Sequence, residues 1–303
     1  MYLDPPYQHT RPGIFFTPTE RHDTYPYISP KNHNLQGKRV LITGASKGVG
    51  HATALSYAKA GCSYIALGAR SSLSKNVTEI LTAAKEAGHP EPHVLPLEMD
   101  VTSEQSVQAA FEKVKDEFNG NLDVLINNAG SLTGFSPIPT TDTETWWRDQ
   151  EVNVKGTYTV THVFLSLLLS SPSSLKIIIN ISSIGAVRTS PFNSSYSTAK
   201  LSILRFTEYL DQDHGPRSDD GVVAIAMHPG GVKTELATRM PEYMHEHLVD
   251  TVELAGDTIF WLGSERREWL GGRYVSANWD MEELSGREGD VVKGDLLKMK
   301  LVV

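Results

Sequence analysis

Tyr196 and Lys200 stand four residues apart in Ser195-Tyr-Ser-Thr-Ala-Lys200, and on a helix that spacing puts both side chains on one face, one turn apart. The pairing has a chemical use. A free phenol titrates near ~10 and is a poor base at neutral pH, whereas a neighbouring ammonium favours its ionised form. Ser183 closes the run Ile181-Ser-Ser-Ile-Gly185 thirteen positions before the tyrosine, and Asn153 lies inside a long apolar helical pattern where an amide is awkward. Nearer the front, residues 43–50 read Thr-Gly-Ala-Ser-Lys-Gly-Val-Gly between an apolar run and a segment of helical period. Glycines at a strand-to-helix junction allow a tight turn, let a pyrophosphate reach the backbone and let the helix pack closely, while the helix N-terminus favours negative charge.

Such groups need a scaffold that brings distant segments to one edge. Apolar runs at 39–43, 64–68, 93–98, 124–127, 176–182, 222–228 and 273–276 read as strands, and the segments 48–60, 76–87, 103–118, 143–170, 195–213 and 249–262 as helices. The alternation predicts an α/β fold: a Rossmann-like, doubly wound, parallel seven-stranded sheet with helices on both faces. The strands are apolar throughout, as parallel strands buried on two faces must be, and ligands bind outside their carboxyl ends. No repeat or internal linker interrupts residues 37–278, so they read as a single dinucleotide-binding and catalytic domain. Ahead of it, residues 1–36 carry Pro5, Pro6, Pro12, Pro18, Pro26 and Pro30 among Tyr2, Tyr7, Phe15, Phe16, Tyr25 and Tyr27. That density of proline predicts an extended arm without regular structure, and the aromatics predict that it packs on the domain or on a partner subunit. Residues 279–303 form a charged tail.

The motifs resemble those of the short-chain dehydrogenase/reductase family. T-G-x-x-x-G-x-G over Thr43 to Gly50 differs from the G-x-G-x-x-G of larger dehydrogenases, and the rest follows in family order: Asp100-Val-Thr102, Asn127-Asn-Ala-Gly130, Asn153, Ser183, Tyr196-x-x-x-Lys200 and Pro229-Gly-x-Val232-x-Thr234. The resemblance, over residues 37 to 278, implies interconversion of a ketone or aldehyde and an alcohol. By the family's pattern Tyr196 donates and accepts the proton, Ser183 holds the substrate oxygen, Lys200 also binds the nicotinamide ribose, and Asn153 holds a water that links Lys200 to solvent. The cofactor-binding set so implied is Thr43, Gly44, Ser46, Lys47, Gly48, Val49, Gly50, Arg70, Asp100, Val101, Asn128, Ala129, Gly130, Tyr196, Lys200, Pro229, Gly230, Val232 and Thr234. Within it Asp100 meets the adenine and Asn128 supports the central sheet. Family members also carry a substrate lid after Pro229-Gly230, which supplies Leu236, Met240 and Tyr243 here, with Ser131, Leu132, Val187, Pro191 and Phe192 on the other wall. A medium-sized, partly apolar substrate suits those residues. Family members dimerise or tetramerise through the long helix and the Tyr196 helix, and the extensions resemble those of fungal members in specialised metabolism. A lyase or isomerase on the same scaffold, and a non-catalytic NADP(H)-sensing protein, are the alternative readings.

Bulk properties agree with a small-molecule enzyme. The chain has 303 residues, 40% hydrophobic, with a formal net charge of −8 spread along it, which argues against nucleic-acid binding. No run is long enough to cross a bilayer, and the N-terminus lacks the pattern of a signal peptide, so a cytoplasmic protein is expected. The lone Cys62 can form no internal disulfide. Asn76, Asn180 and Asn193 open N-x-Ser/Thr triplets read as chance matches. His245-Glu-His247 lacks a further placed ligand, so no metal is expected.

The cofactor choice turns on the end of the second strand. An NAD enzyme of this topology has a carboxylate there for the ribose hydroxyls, but this chain reads Ala66-Leu-Gly-Ala-Arg70. A guanidinium suits the 2′-phosphate of NADP(H), and Lys47 adds a second positive charge. Arg70→Asp is therefore expected to weaken NADPH binding far more than NADH binding in fluorescence titrations; equal losses would contradict that reading.

Overall fold

The apolar runs form seven parallel strands in the computed structural model, which describes residues 15–171 and 175–301. They are β1 (Arg39–Thr43), β2 (Tyr64–Ala69), β3 (His93–Glu98), β4 (Val124–Asn127), β5 (Ile177–Ile181), β6 (Val223–His228) and β7 (Arg273–Ser276), in the order β3-β2-β1-β4-β5-β6-β7. Val40 of β1 is paired with Ile65 on one side and Val124 on the other. The chain winds outward from β1 to β3, then returns past β1 to β4 and winds the other way. Connections thus diverge on either side of the β1/β4 line and leave a crevice at the carboxyl ends.

Strand alternation divides the core into two layers. Val40, Ile42, Ile65, Ile126 and Ile179 pack with Tyr57 of α1 (Gly48–Lys59), Ile80 of α2 (Ser74–Glu86) and Phe260 of α7 (Val252–Ser264). Their neighbours Leu41, Ala66, Leu125 and Ile178 face the opposite layer, with Val107 of α3 (Glu104–Glu117), Phe164 of α5 (Gly156–Ser170) and Leu210 of α6 (Ser194–His214). The buried Cys62 thiol is pushed up to about 12 by its burial, as suits a small core side chain. Asn76, Asn180 and Asn193 are all buried, so none of the three triplets presents an accessible amide.

Two expectations need correction. The single helix expected over 143–170 is interrupted: α4 (Thr143–Gln150) runs into a π turn at Glu151–Lys155 before α5 begins. A π turn accommodates an extra residue, and here it lets the Asn153 amide reach the carbonyls of Asp149 and Ser131, each at 2.8 Å. The arm is not wholly irregular either, because 3-10 turns form at Pro26–Ile28 and Pro30–Asn32, each with proline in its first turn, where no amide hydrogen is needed. The charged tail folds into α8 (Met281–Ser285) and α9 (Glu288–Lys293); Asp280 caps the first by accepting from the amides of Glu282 and Glu283 at 2.9 Å.

Arm and tail hold each other. The Phe16 ring lies 5.2 Å from that of the buried Trp279, Tyr25 accepts from the Met281 amide at 2.6 Å, Arg21 pairs with Asp280 at 2.5 Å, and Ile28 is fully buried. Tyr2, Tyr7, Pro5, Pro6 and Pro12 lie outside the described residues. Beyond α9 the chain passes along β7, where the Tyr274 amide donates to the Leu297 carbonyl at 2.8 Å and so occupies the outer edge of the sheet.

Helices α1 and α7 pack closely. A Cβ at Gly256 would sit 2.8 Å from the Ala52 carbonyl carbon. Gly256→Val is expected to lower the unfolding free energy by about 1–3 kcal/mol, the usual cost of overpacking, in urea denaturation. A wild-type midpoint would show that the two helices have room to part.

Candidate active site

Thr43 and Asn128 build the crevice. The Thr43 hydroxyl accepts from the amides of Asn128 at 3.0 Å and Ala129 at 2.9 Å, and the Asn128 side chain donates to the carbonyls of Thr43 at 2.9 Å and Gly44 at 3.1 Å. The end of β1 is thereby stitched to the loop after β4. Two glycines make this approach possible. Gly44 has φ +66° and a Cβ there would lie 2.9 Å from the Ala129 Cα, while a Cβ on Gly50 would meet the Asn128 amide nitrogen at 2.4 Å. No larger residue fits either place, and the resulting close turn at the start of α1 can receive a phosphate.

The rest of the turn is held from outside. Asn76 donates to the Ser46 carbonyl at 3.0 Å, and Val49 packs on the core. Thr234 lies over Gly48, within 3.2 Å of where a Cβ would be, so the segment after β6 reaches the glycine turn. Lys47 pairs with Glu235 of that same segment, both largely exposed; such a surface pair contributes little stability. Arg70 is exposed just past β2. Burial pushes the Asp100 carboxyl up, but the backbone and hydroxyl of Thr102, with the nearby charges of Arg70 and Arg148, bring it below its ordinary value. Val101 packs against Gly156.

At the ends of β5 and α6 the four catalytic candidates assemble. Lys200, almost fully buried, donates from Nζ to the Ile181 carbonyl at 2.7 Å, and that nitrogen lies 5.6 Å from the Tyr196 ring centroid. Ser183 accepts from the Gly185 amide at 3.1 Å and stands near enough to the Tyr196 phenol to influence it. Its neighbour Ser182 points the other way, as strand alternation requires, and donates to the Lys200 carbonyl at 3.0 Å. Burial pushes the Tyr196 phenol up to about 12, with Ser183 pulling it back and the charge of Asp149 adding to the rise. Burial also lowers Lys200 to about 8, against the opposing pull of Asp149. The pair is therefore poised as a neutral phenol beside an ammonium. The Asn153 side chain is engaged by the backbone around it: its two donors go to carbonyls of Ser131 and Asp149, and its oxygen accepts from the Ser131 amide at 3.2 Å. Its side chain thus clamps the loop after β4 to the π turn.

The residues expected around a substrate are less uniformly placed. Ser131 is engaged through its backbone, Leu132 is buried, and Pro191 and Phe192 are exposed, the latter at φ +65° with its carbonyl accepting from Ser136 at 2.9 Å. Val187 lines a cavity with Phe16, Leu204 and Trp279 on the α6 face of the sheet. After β6, Gly230 turns at φ +89° and Val232 is buried, whereas Leu236 and Met240 are half-buried and Tyr243 is exposed. His245 faces the Met240 carbonyl at 2.9 Å, and the described residues contain no cluster of metal-ligating side chains.

The family model described as short chain dehydrogenase matches residues 38–244. This chain belongs to the short-chain dehydrogenase family. Among its relatives are the short chain dehydrogenase mpl6 of Monascus purpureus, 47% identical over 96% of this chain and 98% of its own length, and pigC of Monascus ruber, 43% identical over 96% and 95%. Its fold matches that of a 7 alpha-hydroxysteroid dehydrogenase complexed with NADH and 7-oxo glycochenodeoxycholic acid, with a TM-score of 0.69, 19% identity and coverage of 84% of this chain and 97% of the other.

In this short-chain dehydrogenase two carboxylates escaped the motif reading. Asp250 accepts from the Gly231 amide at 2.5 Å, from Asn278 at 2.8 Å and from His22 of the arm at 2.6 Å, which ties the arm to the turn after β6. Asp149 is fully buried behind Tyr196. In the sequence only its place four residues before Asn153 marked it. Asn153→Ala is expected to cost about 2–4 kcal/mol, since it strands buried backbone groups that the amide now satisfies. Denaturant unfolding checks this; an unchanged midpoint would show that the clamp contributes nothing.

Proposed function

We propose that this short-chain dehydrogenase is an NADP(H)-dependent oxidoreductase interconverting a ketone or aldehyde and an alcohol on a medium-sized, partly apolar substrate. The observation that carries the reading is that Ser183, just past β5, stands near enough to the Tyr196 phenol to lower its pKa, with the buried Lys200 ammonium one turn further on. A carbonyl oxygen entering between the two hydroxyls accepts from both, and as negative charge grows on it Tyr196 delivers its proton while Ser183 keeps its hydrogen bond. Lys200 favours the phenolate left behind. In the reverse direction the same phenolate takes the alcohol proton.

We read the glycine turn as the dinucleotide site because Gly44 at φ +66° and Gly48 at φ +57° shape the chain as it enters α1, whose N-terminus favours a phosphate. When bound, the nicotinamide supplies or accepts the hydride. In this reading Gly44, Ser46, Gly48, Val49 and Gly50 hold the pyrophosphate, Asp100 and Val101 the adenine, and Asn128, Ala129 and Gly130 line the sugar. Lys200 binds the nicotinamide ribose, with Pro229, Gly230, Val232 and Thr234 beside the ring. Arg70 and Lys47 take the 2′-phosphate, Lys47 exchanging Glu235 for it. The lack of a carboxylate after β2 supports NADP(H) over NAD(H). Exposed Trp147, Tyr158, Leu201 and Tyr209 on α4, α5 and α6 support a homodimer or homotetramer through that face. No helix of the described residues is long and apolar enough to cross a membrane, in keeping with the cytoplasmic location we assign. Relatives in Monascus support a role in specialised metabolism.

Following NADPH absorbance against a panel of ketones tests the proposal. Oxidation of the cofactor in step with alcohol formation is expected, and Tyr196→Phe should abolish it while leaving NADPH affinity unchanged. Product without net oxidation would point to a lyase or isomerase, binding without chemistry to a sensor, and wild-type turnover by the variant would overturn the role of Tyr196.

A further inference from the structure

Asp149 occupies the last turn of α4, immediately before the π turn, and is fully buried. One carboxylate oxygen accepts from the Ser195 hydroxyl at 2.8 Å and the Thr133 hydroxyl at 3.0 Å; the other accepts from the Thr133 amide at 3.1 Å. Its carbonyl accepts from Asn153. A single residue therefore joins the three pieces that make the site: the loop after β4, the π turn, and α6 at the position directly before Tyr196.

Hydrogen bonds from neutral groups do not neutralise a buried charge, and a carboxylate taken from water without a counter-ion is costly. Among the described residues no lysine, arginine or histidine forms an ion pair with Asp149. Arg148 on its own helix pairs with Glu151 at 3.2 Å, both substantially exposed. The loop after β4 offers Ser131 and Thr133, and β5 offers Ser183, all uncharged. From α6 the titratable groups are Tyr196 and Lys200, and both respond to its charge. Lys200 has the reciprocal problem, since the Ile181 carbonyl that it touches is neutral.

We infer that Asp149 is a positioning residue whose buried carboxylate fastens the Tyr196 helix to the loop after β4 and serves as the counter-charge of the Lys200 ammonium. The charge favours the protonated form of both neighbours. Burial alone would drive Lys200 below the about 8 at which it stands, and the same carboxylate helps to hold the Tyr196 phenol protonated. Removing the charge moves both titrations to lower pH. Carbonyl reduction needs the Tyr196 proton and the Lys200 charge, so the alkaline limb of its pH profile moves down as well.

The inference rests on the assignment of Tyr196 and Lys200 as the proton-transfer pair, but its test needs no turnover. Protein labelled with 13C at lysine Cε and tyrosine Cζ is titrated by NMR without cofactor, Lys200→Arg and Tyr196→Phe identifying the two signals. Asp149→Asn is expected to lower both midpoints by about 1 pH unit, the order expected for removing one nearby charge. Ser195→Ala, which deletes a hydrogen bond and keeps the charge, should leave both in place. Unmoved midpoints in a folded Asp149→Asn protein would overturn the inference, and so would a Ser195→Ala shift as large as that of Asp149→Asn. Should Asp149→Asn not fold, the Asp149 carboxyl carbon of the wild-type protein decides: an ionised signal at pH 7 supports the counter-charge and a protonated one overturns it. If the midpoints move as expected while the ketone panel shows no reduction, the oxidoreductase reading fails and the charge coupling stands.

Discussion

A buried ammonium bound to the last carbonyl of β5 organises this protein. Lys200 donates to Ile181 at 2.7 Å while its own carbonyl accepts from Ser182, so the start of α6 is held to the end of β5 from two directions. That grip sets the distance between Ser183, which leaves the strand, and Tyr196, which rides one turn ahead of the lysine. Burying a lysine is expensive and lowers its proton affinity. It lasts only because the surrounding fold is rigid enough to keep water out and a partner carbonyl in place.

The sheet order supplies that rigidity. β4, β5 and β6 are fully buried, and a polar network runs across their layer: Asn127 donates to Asn180 at 2.8 Å and to Thr161 at 2.9 Å, while Asn180 donates to Thr207 at 3.0 Å. Side-chain hydrogen bonds between buried groups favour one register among many. They tie α5 and α6 to the strands that end in the site. The Thr43 and Asn128 stitches do the same for the crevice between β1 and β4. Phosphate turn and proton-transfer pair are thus two ends of one braced edge. The arm extends the bracing through His22 and Asp250 to the turn after β6, a contact that couples a segment outside the sheet to the wall of the crevice.

Much of this could be read from the chain. Strand positions were legible because parallel strands buried on both faces are continuous apolar runs, and the observed ends differ from expectation by no more than one residue. The glycine turn and the Tyr196 and Lys200 spacing were legible because each rests on local geometry. What escaped reading depends on contacts between segments far apart in sequence. The π turn at Asn153 exists because an amide finds carbonyls on Ser131 and on Asp149, and helical periodicity carries no sign of the first. Asp149 and Asp250 do not belong to the family motifs, and their roles emerge only once α6 and the arm fold against them. The tail helices follow from the Asp280 cap, which composition alone presented as mere charge. Side chains expected at the substrate wall were the least legible. Tyr243 and Phe192 are exposed and Val187 lines a cavity with Phe16 and Trp279, and such loop residues choose their neighbours by packing rather than by period.

The braced edge, with its phenol, hydroxyl and ammonium, is suited to giving one proton to an oxygen whose carbon receives a hydride. The most direct measurement supplies NADPH deuterated at the transferable position of its nicotinamide ring together with a ketone panel, and locates the label by mass spectrometry. The account predicts an alcohol with one deuterium on its carbinol carbon, formed by the wild-type protein and not by Tyr196→Phe. A product formed without deuterium would contradict it.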